Sequence, residues 1–280
     1  RTGRVNGVLT IPPGFSRRVL ARDEPKVALV EDNTDNFVSA TLVGVMSGLV
    51  QAFNQQQGSA APRVSPATSL DVVEVYPYVP YIQYLLPGSI TMSIFMMVMI
   101  GGGIIFIDDK ARGLHEGYLV TPITRFELIC GFNLSGTIKA VLAGLVLMTI
   151  GSVIAGVPAP FEPMRLFRLT VVIVFTAFSL ISLMFLLMVR VTDPLVPRAT
   201  FGVLNTLLYF PSGAVYPQQG FPAWMQAIAV IDPFTYAVHA FKSLLLKNTG
   251  FEAITGDLLF LGLFSVVAMG IATLLFKRTL

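Results

Sequence analysis

DDKARGLHEGYLVTPITRFELICGFN, residues 108–133, is a charged interruption in a chain otherwise dominated by long apolar runs. Its flanks decide the fold class. Residues 85–107 carry no charge, and residues 134–157 carry only Lys139. A run of that length makes about 35 Å of α-helix, against a hydrocarbon core of about 30 Å. A charged stretch between two such runs is a polar loop at a membrane surface. Within it, Thr121-Pro122 predicts a helix start, because a threonine hydroxyl caps orphan N–H groups and proline fits the first helical position. The helix expected over Ile123–Cys130 places Ile123, Phe126, Ile129 and Cys130 near one face, with Arg125 and Glu127 off it. A short amphipathic helix of this kind either docks on a partner or lies in the interface as an ordinary surface helix.

The composition agrees. The 280 residues are 54% hydrophobic and only 12% charged, which excludes an ordinary soluble domain. A net charge of +3, dispersed along the chain, gives no basic stripe for nucleic acid. Cys130 is the one cysteine, so no internal disulfide forms. No GxxxxGK[ST] motif occurs, so the chain does not itself cradle nucleotide phosphates, and no catalytic, cofactor-binding or metal-binding set is predicted.

Residues 1–83 are the polar part and predict a small α/β domain. A strand is expected through RVNGVLTIPPGF, a short helix over Pro13–Ala21 and a second strand through KVALVEDN. A helix follows over Asn36–Gln56, then a Gly/Ser/Pro/Ala loop over 57–69 and a strand over Leu70–Tyr78. Residues 84–280 form the membrane domain, with five spans at about 85–107, 134–157, 167–189, 199–215 and 257–276. The fold class is therefore mainly α: a polytopic helical membrane protein with a small α/β domain.

Orientation follows from the short loops. With residues 108–133 inside, the inner segments hold Lys110, Arg112, Arg125, Arg190, Arg198, Lys277 and Arg278, against Arg165, Arg168, Lys242 and Lys247 outside. Residues 1–83 then lie outside and the C-terminus inside. An outside domain of this size needs a device to translocate it, so the reading expects a further, first span upstream of Arg1, and an α/β domain that is incomplete at its N-terminus.

Residues 211–247, FPSGAVYPQQGFPAWMQAIAVIDPFTYAVHAFKSLLLK from Phe210 onward, hold Pro211, Pro217, Pro222 and Pro233, so no straight helix crosses here. Two short helices, Phe221–Ile231 and Phe234–Leu246, are expected to meet at Asp232-Pro233. Exposed non-helical backbone is not tolerated in lipid, so these breaks are either buried in protein or near the outer surface. Gly101-Gly102-Gly103 predicts a bend or a close helix contact, and packing accounts for it equally well. Lys139, close to the inner boundary, reads as a snorkelling anchor.

The run GLHEGYLVTPITRFELICG resembles the cytoplasmic coupling segment of type-2 ATP-binding-cassette exporter permeases. That family shows Gly-Thr-x-Glu, Thr-Pro five residues after the Glu, then Arg-x-Glu and Gly-Lys. Gly113, Glu116, Thr121, Pro122, Arg125, Glu127 and Gly131 match, whereas Leu114 and Phe132 stand where Thr and Lys are usual. VNGVLTIPPGFS is similar to the extracytoplasmic domain that one subgroup inserts between its first two spans. The Pro-rich stretch resembles the family's re-entrant outer-leaflet hairpin.

The resemblance implies a permease subunit that exports a hydrophobic or amphipathic substrate, such as a drug or lipid-like compound, from the cytoplasm. It implies two ATPase subunits carrying ATP and Mg, a second permease copy or paralogue, and lipid contacts, in a bacterial inner membrane. Gly113, Glu116, Thr121, Pro122, Ile123, Arg125, Phe126, Glu127, Ile129 and Gly131 are the expected ATPase-coupling residues. Pro211, Gly213, Pro217, Pro222, Trp224, Pro233 and Tyr236 are the expected outer gate. The rival readings are a membrane-embedded lipid-modifying enzyme, which needs polar residues converging at one depth, and a non-transporting envelope scaffold.

Overall fold

The computed structural model describes residues 7–21, 23–33, 36–58, 68–74, 79–104, 124–191 and 195–275, with isolated positions 109, 112, 113, 117, 122 and 193. The chain divides into two compact units, Arg1–Tyr81 and Ile82–Leu280.

The first unit has the expected strand–helix–strand–helix–strand order. Its elements are β1 (Gly7–Thr10), α1 (Phe15–Ala21), β2 (Lys26–Glu31), α2 (Asn36–Gly58) and β3 (Ser69–Glu74). β1 pairs antiparallel with β2, with Gly7 opposite Glu31, and β3 pairs parallel with β2, with Ser69 opposite Lys26. Parallel strands need a crossover, and α2 supplies it. β2 alternates as a half-buried strand does: Val27, Leu29 and Glu31 are buried, the residues between less so. The buried Glu31 carboxylate accepts from Ser39 Oγ of α2 at 2.9 Å. At the other end of α2, the Asn54 side chain exchanges two hydrogen bonds with the Thr68 backbone.

The second unit is a helical bundle. It comprises α3 (Tyr81–Val98, whose first residue closes the preceding unit), a π-helical turn (Met99–Ile104), α4 (Arg125–Ile154), α5 (Pro163–Met188) and α6 (Leu195–Tyr209). A 3₁₀ turn (Gln218–Gly220), α7 (Ala223–Ile231), α8 (Pro233–Leu245) and α9 (Phe251–Leu275) complete it. α5 is the central element and packs against α4, α8 and α9. Its Val172, Ile173, Ala177, Leu180, Ile181 and Met184 are fully buried, as are Ile90, Ile94, Phe95 and Val98 of α3. α4 crosses closely at Gly144, where a Cβ would lie 2.9 Å from both Ile173 and Ile94 side-chain atoms. The π turn occupies the triple glycine, and Lys139, itself exposed, lays its stem against Gly101.

Among the described residues, five helices are long and apolar enough to cross a membrane: Phe37–Gln55, Tyr81–Gly101, Phe126–Ile154, Pro163–Met188 and Phe251–Leu275. They are not the same five that the sequence predicts. The run expected to span at 199–215 is the helix Leu195–Tyr209, about 22 Å long, which ends in a turn at Phe210–Ser212 ahead of Pro217. Conversely, α2 meets the length and apolarity of a span while its Ser39 and Asn54 bond within the sheet unit.

A second correction concerns the short helix expected over Ile123–Cys130. Ile123 lies outside the described residues, and Arg125–Cys130 are the first turns of α4, which runs unbroken to Ile154. No proline interrupts residues 125–154, and glycine alone weakens a helix by only about 1 kcal/mol relative to alanine, so nothing stops it.

Candidate functional site

The first candidate is the start of α4. Its N-cap is Thr124, in extended conformation, and it forms a full capping box with Glu127. Thr124 Oγ1 accepts from the Glu127 backbone N–H at 3.3 Å, and the Glu127 carboxylate accepts from Thr124 N and Thr124 Oγ1, each at 2.8 Å. Two orphan donors of the first turn are thereby satisfied. Glu127, expected to face a partner, is engaged in starting its own helix.

The expected coupling stripe is split by the bundle. Phe126 is 57% exposed, whereas Ile129 is 1% exposed and sits in the core. Cys130 is partly buried against that core. In this structure α4 turns Ile129 toward its neighbours, so Phe126 and Ile129 do not share an exposed face. Gly131 is exposed with open space where a side chain would stand. Pro122 and Gly113 are exposed, and Gly113 adopts φ +73°, a conformation that suits glycine. Glu116, Thr121, Ile123 and the Arg125 side chain lie outside the described residues.

The second candidate is built from the turn after α6 and from α7 and α8. The two helices expected to meet at Asp232-Pro233 are present, and Pro233 occupies the first turn of α8. Asp232 caps α8: its Oδ1 accepts from Phe234 N at 2.9 Å. Burial pushes this carboxyl up to about 8, opposed by the hydrogen bonds from Phe234 and Thr235. α8 is amphipathic and turns Phe234, Ala237, Val238, Phe241 and Leu244 inward.

Around α8 the structure gathers residues that sequence reasoning left apart. Lys242 Nζ donates to Gly213 O at 2.7 Å and lies 3.6 Å from the centre of the Tyr84 ring of α3. Gly213 stands at φ +79°, where a Cβ would crowd Gln218. Pro211, Ser212, Gly213 and Ala214 are all buried. His239 Nδ1 lies 2.7 Å from Asp257 Oδ2 of α9. Tyr236 stacks on Phe260 with centroids 3.7 Å apart and donates its hydroxyl proton to Val230 O. At the start of α5, Arg165 donates to Pro158 O and Leu245 O, and Arg168 to Thr249 O. Trp224 and Pro222 point away, both exposed, while Pro217 caps the 3₁₀ turn.

A family profile described as "ABC-2 family transporter protein" matches residues 1–274. The chain belongs to the ABC-2 transporter family. Among its curated relatives is "Inner membrane transport permease YhhJ" of Escherichia coli K12, 27% identical over 288 residues, covering 99% of this chain and 74% of that protein. "Probable multidrug ABC transporter permease YbhS" of the same organism is 25% identical over 295 residues, covering 100% and 74%. "Probable multidrug ABC transporter permease YbhR" is 22% identical over 276 residues, covering 97% and 73%. This ABC-2 protein is accordingly an integral membrane permease subunit of an ABC exporter.

Proposed function

We propose that this permease moves a hydrophobic or amphipathic substrate out of the cytoplasm, driven by two ABC ATPase subunits that dock on residues 108–133. In this reading a second permease copy or a paralogue completes the pathway in a bacterial inner membrane. The sheet unit lies on the extracytoplasmic side, the C-terminus is cytoplasmic, and α7–α8 form an outer-leaflet hairpin at the exit. The names of the relatives YbhS and YbhR, which point to multidrug transport, support an amphipathic substrate.

The observation that carries the proposal is the continuity of α4. Thirty residues make about 45 Å of helix, some 15 Å more than the hydrocarbon core, and in this reading the excess is its charged first turns, which project beyond the membrane. Phe126 is exposed on that projecting end, and the Thr124–Glu127 box keeps the end helical. A push delivered there by nucleotide-driven closure of the ATPases travels along one rod into the contacts with α5, with no joint to absorb it. Nucleotide then favours one state of the permease over the other, as any population shift requires.

The test is co-expression of the permease with its ATPase subunit, co-purification, and ATP-driven uptake of a fluorescent amphiphile into inverted vesicles. Phe126→Asp is expected to abolish co-purification and uptake while the permease remains inserted. Normal assembly and uptake with Phe126→Asp refute the docking reading.

A further inference from the structure

We propose that Lys242 is the positioning residue that latches the outer hairpin shut, by gripping the turn between α6 and α7 against α3. The inference rests on the reading of α7–α8 as the exit, and it names what holds that exit closed.

Three elements meet at one ammonium group. Lys242 belongs to α8, the carbonyl of Gly213 to the turn, and the Tyr84 ring to α3. Tyr84 is 2% exposed, so the ring that receives the cation is fixed in the bundle. One turn further along α3, Gly88 faces Ala214 so closely that a Cβ on it would stand 2.7 Å from the Ala214 Cβ. Only a residue without a side chain lets the turn seat there. Pro87, beside it, removes a backbone donor from α3 at the same level. The Gly213 carbonyl is held in place by its own turn: Ser212 Oγ donates to Tyr209 O and accepts from Ala214 N, and Gln218 donates to Pro211 O.

The chemistry of the grip differs from that of the surrounding apolar contacts. A cation–carbonyl bond and a cation–π contact are short-ranged and directional, and both strengthen where water is excluded. The ammonium group cannot move away from α3 without surrendering carbonyl and ring together. The closed arrangement therefore has a discrete latch, and opening is a two-state event.

The test uses the assembled permease–ATPase complex in nanodiscs, in a Cys130→Ser background, with spin labels on cysteines introduced in one permease copy only at Ile82 of α3 and Ile231 of α7, both exposed. Without nucleotide, the parent complex is expected to give one dominant distance. Lys242→Met keeps the length and removes the charge, and it is expected to raise a second, longer population at least fivefold. Lys242→Arg and Tyr84→Phe, which keep the cation and the ring face, are expected to stay within twofold of the parent. A distance distribution unchanged by Lys242→Met overturns the latch. Should Lys242→Met fail to assemble with the ATPase, Tyr84→Leu carries the same expectation, and an unchanged distribution there overturns the latch equally. A longer population that leaves amphiphile uptake and ATP turnover untouched supports the latch and refutes the exit reading instead.

Discussion

His239 Nδ1 and Asp257 Oδ2 stand 2.7 Å apart and join α8 to α9, with the imidazole side chain 62% exposed and the carboxylate 10% exposed. The asymmetry of exposure makes the two partners unequal. Removing the imidazole leaves a nearly buried carboxylate without this hydrogen bond, whereas removing the carboxylate leaves an imidazole that solvent or lipid headgroups can still reach. Stranding a buried polar group costs about 1–3 kcal/mol. His239→Ala is therefore expected to destabilise the purified permease by roughly that amount, and Asp257→Ala by less. The double variant is expected to fall closer to Asp257→Ala than to the sum of the two. Thermal unfolding of the four proteins in detergent measures this cycle. Simple additivity shows that the pair does not couple the helices.

The start of α4 gives a second expectation. Thr124 is the cap of α4, and replacing a threonine cap with alanine costs about 0.5–2 kcal/mol. Thr124→Ala is expected to fray the first turn and to lower ATP-driven uptake severalfold, and Thr124→Asp to restore it, since aspartate caps at least as well. Hydrogen exchange of residues 125–129 in the complex reads the fraying directly. Equal protection in Thr124→Ala and in the parent contradicts the link between capping and coupling.

That cap was written in the sequence as Thr124-x-x-Glu127, the spacing of a capping box, but Thr121-Pro122 three residues earlier offered a competing start. Long charge-free runs located α3, α5 and α9, because a bilayer demands length and apolarity and little else. The strand through KVALVEDN was expected, but not that Val27, Leu29 and Glu31 form its buried face, since Ala28 and Val30 are equally apolar and Glu31 is charged. What stayed hidden were relations across the chain. Nothing local says that Ile129 faces inward and Phe126 outward, because helical spacing fixes the angle between two residues and not which neighbour covers them. Asp257 sits 18 positions from His239, and Lys242 29 from Gly213. Their polarity inside or beside apolar helices was the available signal, and only the packing of α3, α8 and α9 pairs them.

The turn between α7 and α8 gives a third expectation, about where the hairpin meets the outside. Asp232 stands at the turn between the two helices but is 3% exposed, whereas the neighbouring Ile231 is 68% exposed. A cysteine at Ile231 is expected to react with a membrane-impermeant maleimide from the extracytoplasmic side, and a cysteine at Asp232 to react far more slowly. Labelling of Ile231→Cys only after the cytoplasmic side is opened means that α7–α8 belong to a full crossing.

The difference in exposure between Phe126 and Ile129 separates docking from folding at the start of α4. Both are apolar, three residues apart on the first turns of α4, and the sequence places them on one stripe. In the structure Phe126 is 57% exposed and Ile129 1%. Fully burying one such side chain contributes roughly 1.5–3 kcal/mol, which corresponds to about tenfold or more in an equilibrium constant. At Phe126 that contribution becomes available only when a partner covers the ring, so Phe126→Ala is expected to weaken ATPase binding about tenfold and to leave thermal stability of the isolated permease nearly unchanged. At Ile129 it is already spent inside the bundle, so Ile129→Ala is expected to lower that stability by about 2–5 kcal/mol, with any loss of ATPase binding following from it. Binding titrations and thermal unfolding of the isolated subunit distinguish the two residues. A stability loss at Phe126 equal to that at Ile129 removes Phe126 from the docking surface.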